Sequence, residues 1–338
     1  MEKLLGKTLS EIYKIVEELK FPKYTAKQIA DWLYKKDITS IEEMSNLSKK
    51  MRKVLSNKFE IGADENVNVQ VSVDGTKKYL FPAGTGFVET AYIPEKDRTT
   101  LCVSSQVGCK YACKFCMTGR QGFSEHLTAG EIINQVRSLP EKGKLTNIVY
   151  MGMGEPFDNI DEVLKSLEIL TADYGYAMSP KRITVSTIGV LSGLRRFLDE
   201  SNCHLAISLH TPFEQERLKI MPSQKANPLS KIINIIKKYD FSGQRRVSFE
   251  YIVFKGFNDS PNHINEIANI LKDIKCRVNL IRFHKIPNSE LRGMSRDEME
   301  RFKNDLRRKG LFATGRASRG QDIDAACGML SSAHKISE

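Results

Sequence analysis

Two runs of apolar residues in the first sixty positions show the spacing of amphipathic helices. Apolar side chains recur every three or four residues, which places them on one helix face: Ile12, Ile15, Val16 and Leu19, followed by Ile29, Trp32 and Leu33. Three pairs match the capping box, in which two side chains satisfy free N–H groups at a helix start: Thr8 with Glu11, Thr25 with Gln28, and Ser40 with Glu43. We therefore predict a helical accessory domain over residues 1–62, whose basic surface is either an RNA contact face or ordinary solvated surface.

The pattern changes to a period of two after residue 62. Four valines alternate with polar residues between positions 67 and 73 and lead into Asp74-Gly75, a dipeptide typical of tight hairpins. The alternation resumes after this turn, and a third strand is predicted over 87–93. Residues 63–98 are therefore predicted to form a small antiparallel strand region that links two larger units.

Glu89 lies in an otherwise apolar row of the third predicted strand, together with Phe87, Ala91 and Ile93. A carboxylate that is buried among apolar side chains favours proton acceptance, so Glu89 is a candidate catalytic base. The alternative is a glutamate that leans into solvent from a sheet edge, and the local pattern alone favours it.

Short apolar runs alternate with longer helix-period stretches from Thr99 onward. The predicted strands cover 100–104, 147–151, 182–187, 204–209, 247–254, 278–283 and 311–315. The predicted helices cover 131–139, 160–171, 190–198, 229–239, 263–271 and 296–309. Repeated strand–helix units predict a parallel sheet in a third domain over residues 99–338. An open doubly wound sheet and a full or partial barrel both fit this order.

Polar and glycine residues follow several of these strands. Ligands bind at the carboxyl ends of parallel strands in either architecture. The residues expected at those ends are Gly152, Gly154, Glu155, Ser186, Ser208, His210 and His284. Each has a structural explanation on its own, such as a turn or a helix cap, but their convergence on one rim predicts a ligand site.

The composition favours a folded protein with a polyanionic partner. Lys and Arg number 52 against 41 Asp and Glu, for a net charge of +11, and such an excess favours phosphate-rich partners, above all nucleic acid. No apolar run reaches the roughly 18 to 20 residues of a membrane helix, and residues 1–20 lack the layout of a secretory signal. We therefore expect a cytoplasmic protein without a membrane partner. The segments 49–58 and 307–319 are the best basic candidates for RNA contact.

The cysteines give the sharpest chemical signal. Cys109, Cys113 and Cys116 form a C-x3-C-x2-C run in a loop after the first strand of the third domain. Three thiolates on a tight loop can ligate three irons of a four-iron cluster and leave the fourth iron without a protein ligand. Structural zinc is the alternative, with Cys102 or His126 as its fourth ligand. The position of the loop at the mouth of a parallel α/β domain favours the open cluster.

These residues resemble the radical S-adenosylmethionine (SAM) superfamily, in which an aromatic residue, here Phe115, precedes the last cysteine. Further segments narrow the resemblance to the RlmN and Cfr family of ribosomal RNA adenine methyltransferases: residues 101–109, 151–156, 185–189, 208–210 and 322–328. The resemblance extends over nearly the whole chain. It implies a partial (β/α) barrel of the TIM type, preceded by the helical and strand regions.

The resemblance also implies the cofactors and their ligands. Cys109, Cys113 and Cys116 match the ligands of a [4Fe-4S] cluster, and two SAM molecules are used per turnover. The positions that match SAM contacts are Gly154, Glu155, Ser186, Ser208, Leu209, His210 and His284. At His284 many members are expected to carry Asn, so that contact differs here, although His also forms hydrogen bonds.

Two distant cysteines carry the chemistry that the resemblance implies. The Cys327 thiolate takes a methyl group from one SAM, and a second SAM yields a 5′-deoxyadenosyl radical that takes hydrogen from this methyl group. The methylene radical then adds to carbon 2 of adenine. Glu89 and Cys102 are the candidates for removing the ring proton, and Glu89 stands at the position that the family assigns to this role. Attack of Cys102 on the Cys327 sulfur releases the product and leaves a transient disulfide bond.

The resemblance implies 23S ribosomal RNA as substrate, at the peptidyl transferase centre, with a tRNA adenine next to the anticodon as a second candidate. A monomer served by an electron-donating reductant protein is expected. Three alternatives are weighed against this function: methylation of carbon 8 by the same family, a non-catalytic zinc-containing RNA-binding protein, and a radical SAM enzyme that acts on a small metabolite. The residues after Cys116 and before Pro156 are closer to the carbon-2 branch.

Overall fold

The computed structural model describes residues 1–331 of the chain. Its amino-terminal part is helical, as predicted, and a two-residue strand at each end joins it into a unit because these two strands pair in parallel. The elements of this part are β1 (Glu2–Lys3), α1 (Leu9–Glu18), α2 (Thr25–Lys35), a 3₁₀ turn (Ile41–Glu43), α3 (Lys49–Ser56) and β2 (Phe59–Glu60).

Two of the three predicted capping boxes are present. The Thr8 hydroxyl accepts the N–H of Glu11, and the Glu11 carboxylate accepts the N–H of Thr8. The pair that begins at Ser40 also forms, but it starts only a 3₁₀ turn. The Thr25 box is wrong, because Thr25 lies inside the first turn of α2 with its side chain fully buried, and Tyr24 precedes it without a side-chain cap.

A ten-stranded sheet organises the remainder of the molecule. The strands outside the amino-terminal unit are β3 (Asn68–Val71), β4 (Lys77–Ala83), β5 (Gly86–Pro94), β6 (Thr99–Cys102), β7 (Gln106–Gly108), β8 (Phe123–His126), β9 (Asn147–Tyr150), β10 (Ile183–Thr187), β11 (His204–Ser208), β12 (Val247–Val253), β13 (Cys276–Arg282) and β14 (Ala313–Gly315). The helices are α4 (Met117–Gln121), α5 (Ala129–Arg137), α6 (Ile160–Thr171), α7 (Leu191–Glu200), α8 (Glu214–Ile220), α9 (Leu229–Ile236), α10 (Pro261–Leu271) and α11 (Arg296–Arg308).

The strand order distinguishes the two architectures that the sequence left open. The parallel strands lie side by side in chain order, from β6 through β9, β10, β11, β12 and β13 to β14. A doubly wound sheet reverses its strand order part-way, whereas a barrel keeps one direction. Within residues 1–331 the sheet ends at β14 on one side and β3 on the other. The fold is therefore an open, partial (β/α) barrel.

The antiparallel strands continue this same sheet. β5 pairs with β6 in antiparallel fashion, β4 pairs with β5, and β3 forms the outer edge. The valine side chains in and beside β3 are exposed, because this edge strand has no layer packed over it. Residues 63–98 thus extend the barrel sheet while they connect the helical unit to it.

The helical unit packs closely against the outside of the barrel. Gly6, with a positive φ of 90°, touches the backbone of Gly130 on α5, and a Cβ atom at Gly6 would lie only 2.1 Å from the Gly130 nitrogen. The buried Arg137 side chain reaches back to Asp37 (3.8 Å) and to the carbonyl oxygen of Ile38. The apolar core runs continuously through both parts, so the unit is fixed relative to the barrel. Within residues 1–331, no helix has the length and apolar character needed to span a membrane.

Candidate active site

The three-cysteine loop follows β7, a short strand that pairs with β8 in a hairpin that the sequence pattern did not predict. The Cys109 N–H donates to the carbonyl oxygen of Gly122 (2.9 Å), which closes the loop at its base. The Lys114 N–H donates to the carbonyl oxygen of Ile220 at the end of α8 (3.0 Å). Backbone contacts thus attach the loop at its base and near its tip.

Asp158 fixes the first half of this loop from the barrel rim. Its carboxylate pairs with the Lys110 ammonium (2.6 Å) and accepts hydrogen bonds from the Tyr111 hydroxyl (3.3 Å) and the Gln106 side chain (2.9 Å). The Asp158 side chain is mostly buried, whereas that of Lys110 is half exposed, so the ion pair meets solvent on the lysine side. The sequence analysis missed Asp158, although its position three residues after Glu155 was a usable signal.

One cavity brings most of the predicted site residues together. The predicted residues that line it are Cys109, Cys113, Cys116, Gly154, Glu155, Ser186, Ser208, His210 and Cys327. These side chains come from the cysteine loop, from the ends of β9, β10 and β11, and from the carboxyl-terminal segment. The predicted convergence on one rim is therefore present, because parallel strands end at the same edge of the sheet.

Glu155 is a buried carboxylate that is held by three donors. The N–H groups of Phe157 and Ile188 donate to its two oxygens at 3.0 and 2.9 Å, and the Thr187 hydroxyl also donates to it. Burial raises the pKa of Glu155 to about 7, although these hydrogen bonds oppose the change. Gly154, with a φ of 97°, allows this turn because a side chain there would strike Gln106. A charged amino group is the natural partner of such a carboxylate.

His210 presents a neutral imidazole to the same cavity. Its Nδ1 accepts the N–H of Ile252 (3.0 Å), so the ring proton lies on Nε2. Burial and the nearby Arg217 cation lower the pKa of His210 to about 3. The ring of Phe115, in the cysteine loop, packs edge-on against the imidazole at 4.7 Å. His210 can therefore donate one hydrogen bond without carrying a charge.

Leu209 and His284 do not line this cavity. The Leu209 side chain is fully buried in the hydrophobic core, so a ligand contact at this position would have to use backbone atoms. The half-buried His284 ring bonds to the Ser318 hydroxyl (2.6 Å) and lines a neighbouring cavity instead. The two roles that the family resemblance implies stay predictions.

Cys102 and Cys327 meet in that neighbouring cavity, although 225 positions separate them in the chain. Its volume is about 390 Å³, within the range of ligand pockets. Three arginines line it as well, namely Arg98, Arg316 and Arg319. Cys327 lines both cavities, whereas Cys102 lines one of them and the three loop cysteines line the other.

Burial disfavours the thiolate forms of Cys102 and Cys327, and the Arg316 cation favours them. Burial raises the pKa of Cys102 to about 12, while the Arg316 cation partly lowers it. The pKa of Cys327 is also raised by desolvation and lowered by Arg316. Cys327 is exposed at the wall of the cavity, although the surrounding protein desolvates its thiol. Arg316 itself lies 3.8 Å from the Glu250 carboxylate, which fixes the cation between the two sulfurs and the barrel interior.

The segment that carries Cys327 is attached at both ends. The Asp322 carboxylate accepts hydrogen bonds from the Ser72 hydroxyl (2.5 Å) and the Val73 N–H (3.1 Å) of the β3–β4 hairpin. At the other end, the Met117 N–H, next to the cysteine loop, donates to the carbonyl oxygen of Gly328 (2.7 Å). Folding of the hairpin and of the loop therefore positions Cys327.

Glu89 is buried, as one reading of the sequence proposed, but it lines neither cavity. Its Oε1 pairs with the Lys78 ammonium at 3.0 Å, and its Oε2 accepts the N–H of Ser331 at 2.8 Å. The solvent-exposed alternative is therefore wrong. The sequence analysis missed Lys78, whose place opposite this strand depends on the hairpin register.

The donor set fits a four-iron cluster better than structural zinc. The cavity that contains the three loop cysteines contains neither Cys102 nor His126, the two candidates for a fourth zinc ligand. The His126 ring instead lies 3.0 Å from the Gln106 amide. A C-x3-C-x2-C loop whose cavity is not lined by either proposed fourth zinc ligand matches a cluster that keeps one open iron site. All seven cysteines are free thiols in the structure, and the predicted disulfide between Cys102 and Cys327 is not formed in it.

Comparison with known proteins identifies the family. The profile of the radical SAM superfamily matches residues 103–271, and that of the ribosomal RNA large subunit methyltransferase N-terminal domain matches residues 2–61. A probable dual-specificity RNA methyltransferase RlmN from Bacteroides thetaiotaomicron is 59% identical over 331 residues, which cover 98% of this chain and 96% of the relative. The chain belongs to the RlmN family.

Two further relatives agree with this membership. A protein of the same description from Parabacteroides distasonis is 60% identical over 334 residues, 98% of this chain and 97% of its own. The crystal structure of a radical SAM methyltransferase from Sphaerobacter thermophilus superposes with a TM-score of 0.90 at 36% identity, and it covers 98% of this chain and 100% of that one. RlmN membership confirms the fold class and the [4Fe-4S] and SAM cofactors predicted from the sequence. A non-catalytic zinc module does not fit it.

Proposed function

We propose that this RlmN-family protein methylates carbon 2 of an adenine in 23S ribosomal RNA and an adenine of tRNA next to the anticodon. One observation carries the proposal: Cys102 and Cys327 line a single cavity that adjoins the cavity of the three loop cysteines. A small-metabolite enzyme would not require this pair of cysteines in addition to the three loop cysteines. The two relatives are named probable dual-specificity RNA methyltransferases, which supports action on two kinds of RNA, and the matching amino-terminal profile names ribosomal RNA of the large subunit.

The cofactors have clear places among these residues. Cys109, Cys113 and Cys116 would hold the [4Fe-4S] cluster. The SAM molecules would lie against the rim residues Gly154, Glu155, Ser186, Ser208, the Leu209 backbone and His210, with His284 at the neighbouring cavity. When bound, the cluster and SAM supply methyl groups and a carbon-based radical. The Glu155 carboxylate suits the SAM amino group, since it is the one buried anion in this set.

Cys327 is the residue that we assign as methyl carrier. It is open to both cavities, so the same sulfur can face SAM on one side and an adenine on the other. The Arg316 cation favours its thiolate, which is the nucleophilic form. The transferred carbon therefore travels on a protein sulfur rather than directly from SAM to the base.

Cys102 releases the product in this scheme. Its thiolate attacks the Cys327 sulfur, and a sulfur–sulfur bond forms while the bond between the Cys327 sulfur and the transferred carbon breaks. The electron pair of the broken bond stays with the RNA adduct, whose transferred carbon takes up a proton to become the methyl group. The transient disulfide must then be reduced before the next turnover. Cys102 also lines the cavity that would hold the adenine, which makes it the nearer candidate for removing the ring proton. Glu89 lines neither cavity, and its two oxygens are held by Lys78 and by the N–H of Ser331.

The three arginines in the cavity of Cys102 and Cys327 suit a nucleotide whose base has flipped out of its stack. Its volume of about 390 Å³ accommodates a base, and Arg98, Arg316 and Arg319 can pair with the adjoining phosphates. Arg316 and Arg319 belong to the basic segment 307–319 predicted from the sequence, while Arg98 does not. RNA substrates imply action in the cytosol, and we retain the prediction of a monomer that receives electrons from a separate reductant protein.

Nucleoside mass analysis tests the function directly. Ribosomal RNA and tRNA that lack the modification are incubated with the anaerobically reconstituted protein, SAM and a reductant, and then digested. We expect 2-methyladenosine from both RNAs with the wild-type protein and none with Cys327→Ala, whereas Cys203→Ala, at a buried position away from the cavities, should retain activity. Formation of 8-methyladenosine instead would assign the protein to the carbon-8 branch. Absence of iron and sulfide from the reconstituted protein would overturn the proposal.

A further inference from the structure

Arg217 is a buried cation whose hydrogen-bond partners within residues 1–331 are all uncharged groups. It lies on α8, its residue is 0% exposed, and it belongs to the largest fully buried side chains of the described chain. Its guanidinium donates to the side-chain oxygen of Gln224 (2.7 Å) and to the carbonyl oxygens of Ile188 (2.8 Å) and Ser208 (3.0 Å). Its Nε has no hydrogen-bond partner within residues 1–331.

This arrangement is unusual because a buried charge normally faces an opposite charge. Arg137, the other arginine that is almost completely buried, follows the rule, since Asp37 lies 3.8 Å from its Nε. Of the two acids that precede it on α8, Glu216 pairs with His263 (2.8 Å), and Glu214, whose charge does act on Arg217, accepts the N–H of Ser230. Neutral oxygens stabilise a guanidinium only in part, so the site favours a further negative charge nearby.

The contacts around Arg217 indicate that the favoured negative charge lies at the cysteine loop. The carbonyl oxygen of Ile220, three residues along α8, accepts the N–H of Lys114. Ile188 and Ile220 share an apolar cluster with Cys113 and Phe115, so the medium between the cation and the loop is poorly screening. Arg217 also contacts the backbone of Ser208, at the rim position that we assign to SAM.

We propose that Arg217 supplies the positive charge that balances the thiolates of the cysteine loop and thereby makes the bound cluster easier to reduce. This inference rests on the proposed cluster site. A four-iron core with three thiolates carries one net negative charge, and uptake of an electron from an external reductant raises it to two. A fixed cation in a weakly screening medium stabilises the more negative state, which raises the reduction potential. Arg217 is thus a positioning residue for charge and touches no reacting atom.

A redox titration of the cluster tests this role. Wild type, Arg217→Gln and Arg217→Lys are reconstituted anaerobically, and the reduced fraction is followed by electron paramagnetic resonance against dithionite-set potentials. We expect Arg217→Gln to shift the equilibrium about tenfold toward the oxidised cluster, which corresponds to about 59 mV for one electron. Arg217→Lys keeps the charge and should stay close to wild type. Arg137→Gln is the matched control, a buried arginine elsewhere, and should leave the potential unchanged.

The outcomes separate this inference from the proposed function. Full cluster content with an unchanged potential in Arg217→Gln would overturn the inference and leave Arg217 as a purely structural residue. If Arg217→Gln fails to fold, Arg217→Lys decides: a potential near that of wild type supports the role of charge, and a tenfold shift overturns it. Failure of the wild-type protein to bind any iron–sulfur cluster would instead contradict the proposed function.

Discussion

Lys78 Nζ lies 3.0 Å from Oε1 of Glu89, and each of the two side chains is only 4% exposed. They come from the neighbouring strands β4 and β5, and the second Glu89 oxygen accepts the N–H of Ser331. A buried pair of this kind stabilises a fold little in total, but either charge alone is costly. Removal of either charge would therefore leave the other one buried without its ionic partner.

The first prediction concerns this pair. Lys78→Met leaves the Glu89 charge buried without a partner, and we expect a loss of about 3–5 kcal/mol in the free energy of unfolding. The double variant Lys78→Met/Glu89→Leu should recover much of this loss, because it removes both charges. Lys77→Met is the control, since its partly exposed pair with Glu141 should contribute about 1 kcal/mol or less. Urea denaturation measures all three, and equal losses for Lys78→Met and Lys77→Met would contradict the prediction.

The second prediction concerns product release. Cys102→Ala retains the Cys327 carrier but lacks the thiolate that breaks the bond to the transferred carbon. We expect this variant to accumulate RNA that is covalently attached to the protein, which a denaturing gel detects as a slower band. Cys102→Ala/Cys327→Ala should give no such band. Free methylated RNA at the wild-type yield from Cys102→Ala would remove Cys102 from the scheme.

The third prediction concerns the dependence of stability on pH. The pKa of Glu155 is about 7 in the folded protein, against an ordinary value of 4.5. Between these values the folded state holds a proton that the unfolded chain has lost, so the free energy of unfolding falls as the pH rises from about 4.5 to about 7. In the absence of ligands, the decline attributable to this residue is about 3 kcal/mol.

Glu155→Gln checks this sign, because the amide does not titrate. The difference in free energy of unfolding between the wild type and Glu155→Gln should fall over that pH window and stay constant above it. Glu200→Gln, at an exposed position, should follow the wild-type curve throughout. Parallel curves for the wild type and Glu155→Gln would show that Glu155 ionises normally.

The fourth prediction concerns Arg98 and Arg319, which line the cavity of Cys102 and Cys327. Each cation that pairs with a phosphate releases counterions, so its removal should lower the salt dependence of RNA affinity by about one unit in the logarithmic slope. We expect this for Arg98→Gln and for Arg319→Gln. Arg196→Gln, whose guanidinium pairs with Asp161 and Glu200 on the outer helices, should keep the wild-type slope. Unchanged slopes for both cavity variants would place the phosphates elsewhere.

Local patterns were sufficient for most elements. The strand–helix alternation after Thr99 predicted each of the parallel strands from β6 to β14 to within a few residues, because burial on both faces of a parallel sheet leaves continuous apolar runs. The β7–β8 hairpin and the short helices α4 and α8 were missed, since they have too few residues to show a period. The proposed boundaries at residues 62 and 98 stay predictions.

The residues of the candidate site also fall into two groups, those that local sequence patterns predict and those that they do not. The cysteine spacing and the rim residues could be read directly, because loop ligands and strand ends are local features. Arg217 and Lys78 could not, because their significance lies in which charged or polar groups surround them, whereas Asp158, three residues after Glu155, was overlooked. Glu89 was predicted only in part. The alternation of its strand placed it in an apolar row, but only the structure revealed its partners, Lys78 and Ser331.

The sequence by itself determined the order of the elements, the three-cysteine loop and the chemical character of the rim, since each depends on residues close together in the chain. Tertiary structure alone decided that the sheet is an open barrel, that Cys102 and Cys327 share a cavity, and that the buried Arg217 donates its hydrogen bonds to neutral oxygens. The physical reason is that sheet order, cavity shape and charge balance arise from contacts between distant segments, and these contacts form only when the whole chain packs.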